Sequence, residues 1–138
     1  MNTQAIGTLD REQEGQIGPP PTLQEPLQSI VDAVATWPGV ITTVHWHYAE
    51  RSRVDGVDFY LADEELGHLH LDGEIHLATS PDLGNTLIAE GVAKPFRYLP
   101  GWVEEQVRRI GTTAAIALFR RNYERLHADS HVVRKSAP

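Results

Sequence analysis

Residues 65–76 read ELGHLHLDGEIH, and the way this stretch pairs with itself decides which face of a sheet each side chain takes. Its Asp72-Gly73 pair is a turn signal between two short alternating runs, so two strands meet there. A two-residue turn sets Leu71 against Glu74 and His70 against Ile75, which mixes polar and apolar side chains on both faces. A three-residue loop, Leu71-Asp72-Gly73, ends on a glycine in the left-handed region and forms a bulged hairpin. It sets His70 opposite Glu74, His68 opposite His76 and Leu69 opposite Ile75. One face is then apolar, with Leu69, Ile75 and Leu77, and the other carries His68, His70, His76 and Glu74. A one-residue slip would exchange every side chain between faces, so the three-residue loop is the expected register.

Upstream, VITTVHWHY (40–48) alternates as a strand, with Val40, Val44, Trp46 and Tyr48 on one side and Ile41, Thr43, His45 and His47 on the other. VDFYLA (57–62) is a second strand with Val57, Phe59 and Leu61 inward and Asp58 and Tyr60 outward. If these strands join one sheet, up to five imidazoles and two carboxylates share its open face. Helices bracket the strands. EPLQSIVDAVATW (25–37) has one apolar stripe, Leu27, Ile30, Val31 and Val34, and stops at Pro38-Gly39. SPDLGNTLIAEG (80–91) opens on a Ser80 cap with Pro81 and Asp82 in its first turn and closes on Gly91. WVEEQVRRI (102–110) reads as the last strand. TTAAIALFRRNYERLH (112–127) reads as the last helix, capped by Thr112, with Ile116, Phe119, Tyr123 and Leu126 as its stripe. The order is α-β-β-β-β-α-β-α: an α+β two-layer sandwich whose antiparallel sheet has four to five strands, with the helices on one face.

The chain has 138 residues, which is one domain by length. Residues 1–21 are polar and end in GPPP, and read as a flexible arm; 22–128 form the single α+β domain; 129–138 read as a loose tail. With no cysteine, disulfides, thiolate zinc sites and cysteine nucleophiles are excluded. The formal charge of −7 opposes phosphate backbones, so no nucleic-acid partner is expected. No signal peptide and no apolar run of membrane-spanning length is found, so no membrane partner is expected and the location is expected to be cytoplasmic.

Imidazoles on neighbouring strands of one face stand ~5 Å apart at Cβ, close enough to share an ion at about 2.1 Å. His68, His70 and His76 are therefore candidate metal ligands, for a transition metal such as zinc rather than magnesium or calcium. Imidazoles also titrate near neutrality, so His68 and His70 are equally candidates for general base, with Glu65 or Glu74 orienting a ring. An open sheet face also needs polar residues, and imidazoles bonded to carboxylates can be purely structural. Trp102, after the Pro100-Gly101 turn, and Arg97 in KPFRYLPGW are candidate ligand contacts at the pocket edge beside His68, His70 and His76. Trp37, Trp46 and Tyr123 fall in apolar phase and are expected in the core. There is no phosphate loop, nucleophile elbow or dinucleotide fingerprint, so neither flavin nor nicotinamide is expected. Three uses fit this face: a small-molecule-binding site, an enzyme using the histidines as metal site or general base, and a protein-protein interaction module.

ELGHLH with its following Asp-Gly, the Ser-Pro-Asp helix start closing on Glu-Gly, KPFRYLPGWV and LFRRNYERL together resemble a family of short bacterial and fungal proteins called the luciferase domain. The resemblance covers residues 40 to 126. It carries over to Glu65, His68, His70, Asp72 and Trp102, and does not reach His76, His45 or His47. By its name it implies light emission, for which these residues offer no flavin motif and no oxygen-activating centre beyond the histidine face.

Overall fold

A computed structural model describes residues 17–136, with side chains through Asp129. The elements are α1 (Leu27–Ala35), β1 (Val40–Trp46), β2 (Val54–Leu61), β3 (Glu64–His70), β4 (Glu74–Leu77), α2 (Pro81–Ala89), β5 (Lys94–Pro95), β6 (Val103–Gln106) and α3 (Val107–Ser136). The strands make one antiparallel sheet in the order β1-β2-β3-β4-β6-β5. Among the described residues no helix is long and apolar enough to cross a membrane.

The core lies between the helices and one face of this sheet. Ile30, Val31 and Val34 of α1 and Phe119, Tyr123 and Leu126 of α3 pack onto Val57, Phe59, Leu69, Ile75 and Leu77. The Phe59 and Phe119 rings meet edge to face at 5.1 Å. Trp37 is partly buried against the same core, and Tyr123 donates to the carbonyl of Pro38 at 2.7 Å. Ser80 accepts from Leu83 N at 3.2 Å and starts α2 as its sequence demands.

The central hairpin has the three-residue loop. His68 pairs with His76 and Leu69 with Ile75, and Gly73 N donates to His70 O at 3.0 Å. Gly73 has φ 89°, a left-handed value that a side chain resists. A Cβ there would press on the end of the Gln106 side chain and touch Val107 Cβ at an ordinary 3.6 Å, with no main chain in its way. Gly73→Ala is therefore expected to cost about 1–2 kcal/mol, the left-handed penalty alone, read by urea unfolding.

Two features differ from expectation. The sheet has six strands, because Lys94–Pro95 adds a two-residue edge strand too short to show alternation. The last long strand ends at Gln106, not at residue 110. Val107 N donates to Gly73 O, and Arg109 in the first turn of α3 reaches back to the buried Glu105 of β6. Gly111, at φ 86°, interrupts that helix once. Beyond residue 128, α3 continues to Ser136. Of the expected N-terminal arm, residues 1–16 lie outside the described residues, and Gly18 O accepts from Val44 N at the β1 edge.

Candidate functional site

Strict alternation along β1 to β4 puts His45, His68, His70 and His76 on the face away from the helices, with Asp58 and Glu74. Two β-bulges add to this set. Between β1 and β2, His45 pairs with Gly56 and Trp46 with Val54, which leaves Asp55 unopposed. Between β2 and β3, Phe59 pairs with Gly67 and Tyr60 with Glu65, which leaves Leu66 unopposed. A bulge changes the phase of the strand. Leu66 accordingly enters the core, while Asp55 and Glu65 join the histidine face.

Each of the four imidazoles then has its own carboxylate. His45 Nδ1 donates to Asp58 Oδ1 at 2.7 Å, His68 Nδ1 to Glu65 Oε2 at 2.9 Å and His70 Nδ1 to Asp55 Oδ2 at 2.9 Å. His76 uses the other nitrogen: Nε2 donates to Glu74 Oε1 at 2.8 Å. A carboxylate only accepts, so the ring nitrogen facing it holds the proton and a neutral ring presents a lone pair at the opposite nitrogen. Those opposite nitrogens converge. His76 Nδ1 is 3.0 Å from His68 Nε2 and 3.1 Å from His70 Nε2. The His45 ring stacks on His68 with centroids 4.0 Å apart, and His45, His68 and His70 each offer a nitrogen within 4.8 Å of the others.

The group is largely dry: His45 is 8% exposed and His76 7%. Burial pushes His68 well below the usual histidine range, and the neighbouring His45, His70 and His76 lower it further. Burial lowers His70 also, with His45 adding to the effect and Asp55 opposing it; His76 is lowered by burial and by His70. The unfolded chain thus takes up protons near pH 6.5 that the fold refuses until lower pH. Stability of the metal-free protein is expected to be full above about pH 7. It should fall as pH drops below 6.5, by up to about 1.4 kcal/mol per pH unit for each imidazole, until the folded-state values are reached. Thermal unfolding in chelator between pH 8 and 5 checks this; a flat profile would contradict the neutral cluster.

The histidines floor a cleft of about 620 Å³. The segment between β5 and β6 walls one side, bringing Phe96, Tyr98, Leu99 and Trp102 over the sheet. Phe96 lies 4.2 Å from the His76 ring, and Trp102 lies 6.2 Å from His68. Tyr48 and Tyr98, 84% and 72% exposed, line the same cleft and leave its mouth apolar and open to solvent.

Of the candidates read from sequence, His68, His70, His76, Glu65 and Trp102 come together here. Arg97 does not line the cleft; it is exposed, with its guanidinium over the Tyr98 ring at 5.2 Å. His47 reaches only the rim, where its Nδ1 accepts from Ala49 N and Glu50 N in the turn. Asp72 caps the hairpin by accepting from Glu74 N. The residues missed were Asp55, which counting places in a polar connection, and Phe96, Tyr98 and Leu99, whose loop has no periodicity to read. No curated protein and no solved structure matches the chain. Residues 63–119, which hold three of the four clustered histidines, Glu65 and the aromatic wall from Phe96 to Trp102, match the family described as Luciferase domain, the resemblance its motifs suggested.

Proposed function

We propose that the cleft is a transition-metal centre that takes a small molecule. The observation that carries this reading is the approach of two imidazole nitrogens, His68 Nε2 and His70 Nε2, to His76 Nδ1 at 3.0 and 3.1 Å. Lone pairs so placed repel unless a cation or an added proton lies between them. The low proton affinity of all three rings disfavours the proton. Nitrogens bound to a tetrahedral ion at about 2.1 Å stand about 3.4 Å apart, a few tenths of an ångström beyond the two separations to His76 Nδ1, which favours zinc or a metal of similar size.

The outer shell supports the same reading. Imidazoles that bind metals almost always give their second N–H to a carboxylate or carbonyl, which fixes the tautomer and raises ligand basicity. Here every ring has one. His68, His70 and His76, each held below the usual histidine range, stand beside Glu65, Asp55 and Glu74, which favours a divalent cation in the cleft. All-imidazole donors suit zinc, copper, iron or nickel. A cleft of about 620 Å³ is within the usual range for a small ligand, and the Phe96 to Trp102 wall favours one with an apolar body.

Metal analysis of tag-free protein purified without a nickel column tests the proposal, followed by zinc titration. About one metal per chain, lost in the His68→Ala/His70→Ala variant, is the expected result. Metal-free protein with only weak zinc uptake would leave the cluster as a set of acid–base groups around a shared proton and defeat the metal reading.

A further inference from the structure

We infer that Asn122, on α3 and across the sheet from the cleft, is a positioning residue of the histidine centre, acting through the β3 bulge and Glu65. The inference rests on the metal reading above.

Asn122 is completely buried, at 0% exposure. Its Nδ2 donates to Leu66 O at 2.8 Å and to Ala78 O at 3.2 Å, and its Oδ1 accepts from Arg125 Nε at 3.0 Å. Arg125 in turn donates to Ala78 O at 3.0 Å, and Ala78 N donates to Leu66 O at 3.2 Å. A buried side chain thus spends both of its amide protons on main-chain carbonyls of the β3–β4 pair.

One of those carbonyls belongs to Leu66, the residue that β2 leaves unopposed. That residue sets the phase of β3. With Leu66 turned to the core, Glu65 stands on the cleft side, 2.9 Å from His68 Nδ1. Regular pairing without the bulge would put Glu65 on the core side and Leu66 beside the histidines. Asn122 therefore fixes the kink that gives His68 its carboxylate, and through it the tautomer that aims Nε2 at His76.

A double-mutant cycle on zinc affinity, measured by chelator competition, tests this. Glu65→Gln is expected to weaken zinc binding by about 10- to 100-fold, the range for loss of an outer-shell partner. Asn122→Ala should weaken it by a similar factor, and the Glu65→Gln/Asn122→Ala double variant should bind no more weakly than Glu65→Gln alone. Leu118→Ala, a core truncation on the same helix with no bond to β3, controls for lost stability and should keep wild-type affinity. If Asn122→Ala does not fold, Asn122→Gln, which carries the amide one methylene further out, is read the same way. Losses that multiply in the double variant, or an Asn122 variant that binds zinc as Leu118→Ala does, would overturn the inference while leaving the metal centre standing. Absence of zinc binding by the wild-type protein would overturn both.

Discussion

His76→Phe is expected to abolish tight metal binding while leaving the metal-free protein as stable as the wild type, or more so. His76 Nδ1 is the atom to which both His68 Nε2 and His70 Nε2 come within 3.1 Å, so its loss removes the common point of the donor set. Zinc affinity should fall by more than about 100-fold, beyond what loss of an outer-shell partner costs. Most buried polar substitutions destabilise by leaving a partner unsatisfied. Here the ring of Phe takes the imidazole's place against Phe96, and Glu74, whose side chain is 35% exposed, can turn to water. The opposed lone pairs of His68 and His70 lose their repulsive neighbour. The net change in unfolding free energy without metal should stay within about 1.5 kcal/mol and lean towards stabilisation, since functional groups are held at a cost to stability. Chelator competition and urea unfolding read the two effects separately. A variant that keeps its zinc, or loses several kcal/mol without it, would show that His76 is a structural histidine.

That opposition of stability and binding also bears on what the sequence could reveal. The hairpin register was legible because both faces constrain it: Leu69, Ile75 and Leu77 demand the core, and His68, His70 and His76 must then take the other side. His45 followed from simple alternation, and the apolar stripes of α1 and α3 from their spacing at every third or fourth residue. Counting fails at the bulges. By period two, Glu65 belongs with Gly67 and Leu69 on the core side, and Asp55 with Val57; each reaches the histidines only because one residue is unopposed. The local mark of each is the glycine beside it, Gly56 after Asp55 and Gly67 after Leu66, both at positive φ; the rest depends on partners elsewhere, since Asn122 bonds the carbonyl of Leu66 from 56 positions away in the chain. Arg97 falls outside the cleft lining for the opposite reason. Its loop has no period, and the guanidinium lies over the ring of Tyr98, itself a wall of the cleft. After Trp102 the local pattern fits strand and helix alike, since Val107 and Ile110 are also a helical pair, and the chain leaves the strand at Gln106.

The second bulge supplies the sharpest steric expectation. Gly56 lies opposite both His45 and His70, next to the unopposed Asp55. Its φ is 151°, and a Cβ would stand 2.1 Å from Leu69 O and 2.9 Å from His70 Cα. Both obstacles are main chain of β3, so no rotamer change relieves them. Gly56→Ala is expected to destabilise the protein by at least about 3 kcal/mol, from a backbone region that side chains avoid together with a forced strand separation. Gly73→Ala is the comparison, since it has the positive φ without the main-chain clash and should cost less. The damage should also reach the centre. Asp55 O accepts from Leu71 N at 2.9 Å and its side chain holds His70 Nδ1, so moving β2 from β3 at Gly56 takes the carboxylate from the imidazole. Zinc affinity of the folded fraction should fall by about 10- to 100-fold, as for any outer-shell partner. If Gly56→Ala costs no more than Gly73→Ala and binds zinc as the wild type does, the close approach of β2 and β3 is not what positions Asp55.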